Sequence, residues 1–170
     1  MQAGATAAGI GYEEFRVPKT AVRVDVLLDG GRLVSGEVHA ASEPGTPLGR
    51  ERVLDLLQAD EHFLPITGAE GARLVNKNRI VAVRVAEPQD AGIDEVDEID
   101  VHALIEVRLA RVPEERSLLR GTVAIAMPPG RTRVLDYLNG VGPFLPLATG
   151  EGMLLVARRY VLEVSPAPRT

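Results

Sequence analysis

Between Val22 and Asp29 the chain alternates: Val22, Val24, Val26 and Leu28 fall on one side, Arg23, Asp25 and Asp29 on the other. The same alternation returns at Ile99, Val101, Ala103, Ile105, Val107 and Leu109, opposed by Asp100, His102, Glu106 and Arg108. Period two with β-branched residues predicts half-buried strands. Asp29-Gly30-Gly31 predicts a hairpin turn into a second strand, Arg32 to His39, because glycine tolerates the positive φ of tight hairpins. A Pro/Gly-rich loop, Ser42 to Gly49, leads into Arg50 to Gln58, where Val53, Leu54 and Leu57 take the three-and-four spacing of a short amphipathic helix. Its counterpart is Arg131 to Asn139, ended by Asn139-Gly140. Phe63 to Ile66 predicts a short strand whose Pro65 favours an edge. Arg73 to Val75 and Arg79 to Val85 predict a closing hairpin around Asn76-Lys77-Asn78.

The pattern occurs twice. Pro47 to Val83 falls on Pro128 to Val164 without a gap, and 16 of the 37 positions are identical. Upstream, Gly36-Glu37-Val38 corresponds to Gly121-Thr122-Val123, and Val22-Arg23-Val24 to Ile105-Glu106-Val107. The length differences fall at predicted turns, where insertions are tolerated best. Each copy spans about 65 residues, the small end of what folds alone. Five short strands and one small helix in that length predict a mainly β fold of two tandem small five-stranded β-barrels, each with one inserted helix. The expected organisation is a partly disordered extension at 1–20, copy 1 at 21–86, an acidic linker at 87–98, copy 2 at 99–166 and a tail at 167–170. The apolar set Leu54, Leu57, Phe63, Leu64, Leu74 and Val75, with its repeats Leu135, Leu138, Phe144, Leu145, Leu155 and Val156, is the expected core. Edge strands of small open barrels invite pairing, so the copies are expected to pack or pair with each other.

Hairpin, helix, strand and then Leu74-Val75-Asn76-Lys77-Asn78-Arg79-Ile80-Val81-Ala82-Val83 together resemble the Sm-like and SH3-like small barrels. The segments Arg133 to Asn139, Phe144 to Leu147 and Leu74 to Val83 also resemble a family of small bacterial domains without an assigned activity. The resemblance covers both copies. It rests on apolar and turn residues, which identify fold better than function. Here the helix stands between the second and third strands, whereas Sm proteins carry theirs before the first. In Sm-like barrels the turn between the last two strands can meet RNA. For this chain that implies Lys77 and Arg79 in copy 1, and Arg158 and Arg159 in copy 2.

Composition narrows the function. The 170 residues contain no Cys and no Trp, three Phe and three Tyr. Disulfides, thiol nucleophiles and Cys-ligated metals are excluded, and few rings remain for base stacking. The formal net charge is −5, the wrong sign for a general polyanion binder. Seven of the acids lie in Glu87 to Asp100 without a base, so the two copies themselves are close to neutral. No apolar run reaches membrane-spanning length, and Met1 to Ile10 lacks the basic start of a secretory signal. A cytoplasmic protein is expected.

Catalytic chemistry is thinly represented. His39, His62 and His102 have no metal-ligand spacing, and the serines lack a nucleophile-elbow context. Gly140-Val141-Gly142 has neither the third glycine nor the flanking strand of a dinucleotide loop. No catalytic, cofactor or metal residue is assigned. The repeated charged set is Arg50, Arg52 and Asp55 against Arg131, Arg133 and Asp136. Paired arginines at a helix start could hold an anion; alternatively, Arg52 and Asp55 form an ordinary i, i+3 pair. The expectation is a non-enzymatic assembly or protein-interaction module with a protein partner or homo-oligomer. An Sm-like nucleic-acid or nucleotide binder is the disfavoured alternative, and no membrane partner is expected.

Overall fold

A computed structural model describes residues 18–93, 101–125 and 133–168. The expected disorder at the N-terminus, most of the acidic span after Ile93, and Arg131 lie outside the described residues. The first half consists of strands β1 (Lys19–Leu28) and β2 (Leu33–Ala41), helix α1 (Val53–Gln58), and strands β3 (Phe63–Gly68), β4 (Gly71–Asn76) and β5 (Ile80–Val85). The second half repeats the series as β6 (Val101–Leu109), β7 (Leu118–Ile125), α2 (Val134–Gly140), β8 (Phe144–Thr149), β9 (Gly152–Ala157) and β10 (Val161–Pro166).

The fold is mainly β, but the expected pair of five-stranded barrels is corrected. The strands form one open ten-stranded antiparallel sheet in the order β10-β6-β7-β8-β9-β5-β1-β2-β3-β4. Within the first half the order is β5-β1-β2-β3-β4, and within the second β10-β6-β7-β8-β9. The last two strands of a half do not pair with each other, so the predicted closing hairpin is also corrected. A 3₁₀ turn at Lys77–Arg79 separates β4 from β5, and another at Arg158–Tyr160 separates β9 from β10. After the turn β5 crosses to β1 and gives its other edge to β9 of the second half, from Ala82↔Val156 to Val85↔Met153.

That placement explains the composition of β5. Ile80, Val81, Ala82, Val83 and Val85 are all buried, as in a strand paired on both edges and covered on both faces. Farther from the seam the alternation read from the sequence is kept, with Val34, Gly36, Val38 and Ala40 of β2 buried and Leu33, Ser35, Glu37 and His39 exposed. One hydrophobic cluster runs through both halves.

The ladders also refine the repeat. Val24 pairs with Gly36, and Ile105 with Gly121, so Val24 corresponds to Ile105 rather than to Val107. Copy 2 has four more residues in its first hairpin and four fewer before its helix, which restores the common offset downstream. Gly36 and Gly121 are required by close approach. A Cβ at Gly36 would lie 2.6 Å from the Thr67 carbonyl oxygen, and one at Gly121 2.5 Å from that of Ala148. Any side chain there would push apart β2 and β3, or β7 and β8, at their single registered pair, Glu37↔Thr67 or Thr122↔Ala148.

Candidate functional site

The repeated arginines are placed first by their own chain. Arg50 donates from Nη1 and Nη2 to the two oxygens of Asp90, at 2.7 and 2.9 Å. Asp90 Oδ1 also accepts from the Val53 backbone N–H at 3.2 Å, at the start of α1. The side chains are 12% and 1% exposed, so this is a bidentate pair between a partly buried guanidinium and a buried carboxylate, and the Asp90 contact raises the Arg50 pKa. Asp90 belongs to a 3₁₀ turn, Pro88–Ala91, inside the span expected as a free linker. The burial of Ala91 and the Asp90 carboxylate makes that segment a strap across α1.

Arg52 forms the i, i+3 pair with Asp55, at 2.9 Å from Nε and 2.8 Å from Nη2. The hydrogen bond from Arg52 holds the Asp55 carboxyl below its ordinary pKa. A cleft of about 400 Å³ beside these residues is lined by Glu43, Glu51 and Asp55 as well as Arg50 and Arg52. Its charge is mixed and its arginines face carboxylates of the same chain, which is poor chemistry for an anion. Arg133 is exposed at the start of α2.

The second basic set falls where the halves meet. Arg159 of copy 2 donates to the carbonyl oxygens of Lys77, Asn78 and Ile80 in copy 1, the last two at 3.2 Å. Its guanidinium stands 5.2 Å from the Tyr160 ring centre, and the Tyr160 hydroxyl donates to the Asn78 carbonyl at 2.8 Å. Arg79 pairs with Asp29 at 2.9 Å and holds that carboxyl below its ordinary pKa. Lys77 is buried with its Nζ donating to the Ala59 carbonyl at 3.0 Å, and desolvation lowers its pKa. Arg158 donates to the Val141 carbonyl at 2.6 Å. Most of the residues expected at solvated hairpin tips therefore fasten backbone, and Arg159 fastens one half to the other.

The surface that residue types alone concealed is apolar. Leu74 of β4 is 70% exposed, while its repeat Leu155 of β9 is fully buried at the β5–β9 seam. Leu162 of β10 is 65% exposed, while its repeat Val81 of β5, next to the first seam pair Ala82↔Val156, is fully buried. Phe63 is 50% exposed against 3% for Phe144. Phe63, Leu74 and Leu135 are thus corrections to the expected core. An apolar groove of about 280 Å³ continues the β10 edge, lined by Val134, Leu135 and Leu138 of α2 and by Val164 and Pro166.

His39, His62 and His102 are all exposed, and His39 lies 3.2 Å from the Thr67 hydroxyl. Among the described residues no group of three or more His, Asp and Glu side chains is gathered for a metal ion. Nor is any helix there long and apolar enough to cross a membrane. No family model matches the chain, and neither a curated protein nor a solved structure matches it.

Proposed function

We propose that this chain is a non-enzymatic assembly module built from two fused Sm-like units, each an open five-stranded sheet, that works through its sheet ends. One observation carries the reading: Leu74 and Leu162 are exposed at the two ends, while their repeats Leu155 and Val81 are buried where the halves join. A large apolar side chain in water forgoes roughly 1.5–3 kcal/mol of burial. Unpaired edge strands that carry such residues are templates for another chain. The interface chemistry is main-chain pairing supported by apolar contact, so the partner is protein. The basic residues of an alternative nucleic-acid surface are largely engaged in holding the molecule together.

Light scattering of the full chain over a wide concentration range tests the reading. The expected result is a mass above the 18.2 kDa of one chain, or a stoichiometric complex with another protein, lost in Leu74→Lys or Leu162→Lys. A strict monomer whose β4 and β10 amides exchange freely, alone and in total protein extract, would overturn it. Saturable RNA binding that weakens with salt would put the nucleic-acid reading in its place.

A further inference from the structure

We infer that the partner at these ends is a second copy of the chain, joined head to tail, with β4 of one molecule pairing antiparallel with β10 of the next. This rests on the assembly reading above and specifies its partner. The seam already present supplies the pattern. There, a fifth strand of one repeat, β5, pairs with a fourth strand of the other, β9. Among the described residues the sheet then ends in one unpaired fourth strand, β4, and one unpaired fifth strand, β10. The two open edges are therefore the two complementary sides of an interface the molecule has already formed once.

Carrying the seam register across the repeat gives Val75↔Glu163, Leu74↔Val164, Arg73↔Ser165 and Ala72↔Pro166. The irregularities agree. β5 pairs with β1 through a bulge that leaves Val81 out of register, and β10 pairs with β6 through one that leaves out Leu162. The same edge shape is thus presented twice, covered once and open once. Glu163 takes the place of Ala82 in the new ladder, where it stands diagonal to Arg73 of the neighbour on the same face. Its carboxylate is already 3.8 Å from Arg108.

The new contact is weaker than the seam. Ala167 donates its N–H to Leu104 on β6 at 3.1 Å. By alternation Pro166 turns toward the open edge, where it has no N–H to give. Assembly is accordingly concentration-dependent, whereas the covalently linked seam is permanent. A head-to-tail contact uses different surfaces on the two molecules, so it propagates to a ring or a filament.

The heterologous contact has a distinctive test. Leu74→Glu blocks only the β4 edge, and Leu162→Glu only the β10 edge. Each variant alone should be a monomer with an unchanged thermal melt. Their mixture should form a one-to-one dimer and stop, because one intact β4 meets one intact β10. In the Cys-free background, Arg73→Cys mixed with Ser165→Cys should give an oxidised dimer, while neither alone should. Assembly of the wild type with no dimer in either mixture would overturn head-to-tail pairing. So would a dimer of one blocked variant by itself, which would mean like edges pair. A wild-type monomer that instead forms a stoichiometric complex with a different protein through β4 or β10 would sink this inference and leave the assembly reading intact. A monomer with both edges uncovered would sink both.

Discussion

Leu74 and Leu155 occupy the same position of the repeat, and both were written as leucine, yet one is 70% exposed and the other fully buried. Val81 and Leu162 make the same contrast on the opposite side of the interface. Local sequence does not separate the members of a pair; what differs is whether another strand lies alongside. The seam gains main-chain pairing from β5–β9, the buried Leu155 and Val81, and the Arg159 and Tyr160 contacts to copy 1 carbonyls. The open ends retain the apolar side chains without the ladder. A duplicated unit whose two edges match can satisfy one pair internally, and it necessarily leaves one pair over.

The largest effect is expected from loss of the strap that only copy 1 shows among the described residues. Asp90→Ala leaves the partly buried Arg50 guanidinium without its carboxylate and the buried Val53 N–H without its acceptor. A loss of about 3–5 kcal/mol is expected in denaturant unfolding. Replacing Arg50 and Asp90 together by Met and Leu should recover much of it, since a buried pair is worth little against apolar residues of similar size. A single variant as stable as wild type would show that the pair carries no such penalty.

Next is the direct contrast. Leu155→Ala should cost about 2–5 kcal/mol through the cavity it leaves at the seam. Leu74→Ala, measured at dilutions where the chain is a monomer, should stay within about 0.5 kcal/mol. Equal losses would contradict the exposure difference. Tyr160→Phe removes the hydroxyl that reaches both Asn78 and Asp29 across the seam, and about 1 kcal/mol is expected.

The smallest effect is on pH. Asp29 and Asp55 have folded pKa values below their ordinary value, through Arg79 and Arg52 respectively. A depressed carboxyl contributes stability above its unfolded pKa and loses it as pH falls through the folded value. Melting temperature should therefore decline below about pH 4. Asp55→Asn should remove its own part of that decline, worth tenths of a kcal/mol at so exposed a pair. An identical acid profile in Asp55→Asn would refute that share.

Much of the strand content was legible because a sheet with one face covered imposes period two on its side chains, as along β2. The helix ends were also visible, though both starts lie three residues later than read, at Val53 and Val134; so were the two close-approach glycines, Gly36 and Gly121, as matching positions of the repeat. The strap was not: Pro88 and Asp90 read as linker, because the carboxylate that makes Asp90 structural pairs with Arg50, forty residues earlier. The basic turns stand where the sequence places them, but what their side chains hold was hidden for a similar reason. Arg159 looks solvated until Lys77 and Asn78 of the other copy are brought beneath it. The closing hairpin was misread because two strands separated by a short turn ordinarily pair, and here a 3₁₀ turn sends β5 elsewhere.

By itself, then, the sequence determined the duplication, the mainly β class, the short helices and the absence of thiol chemistry, since these follow from periodicity and residue type. Only the tertiary structure decided that two expected barrels are one open sheet, and which copy of each leucine is dry. Edge pairing is main-chain hydrogen bonding between segments distant in the chain, and nearly any side chain permits it. Its partners are therefore set by which edges the fold brings together.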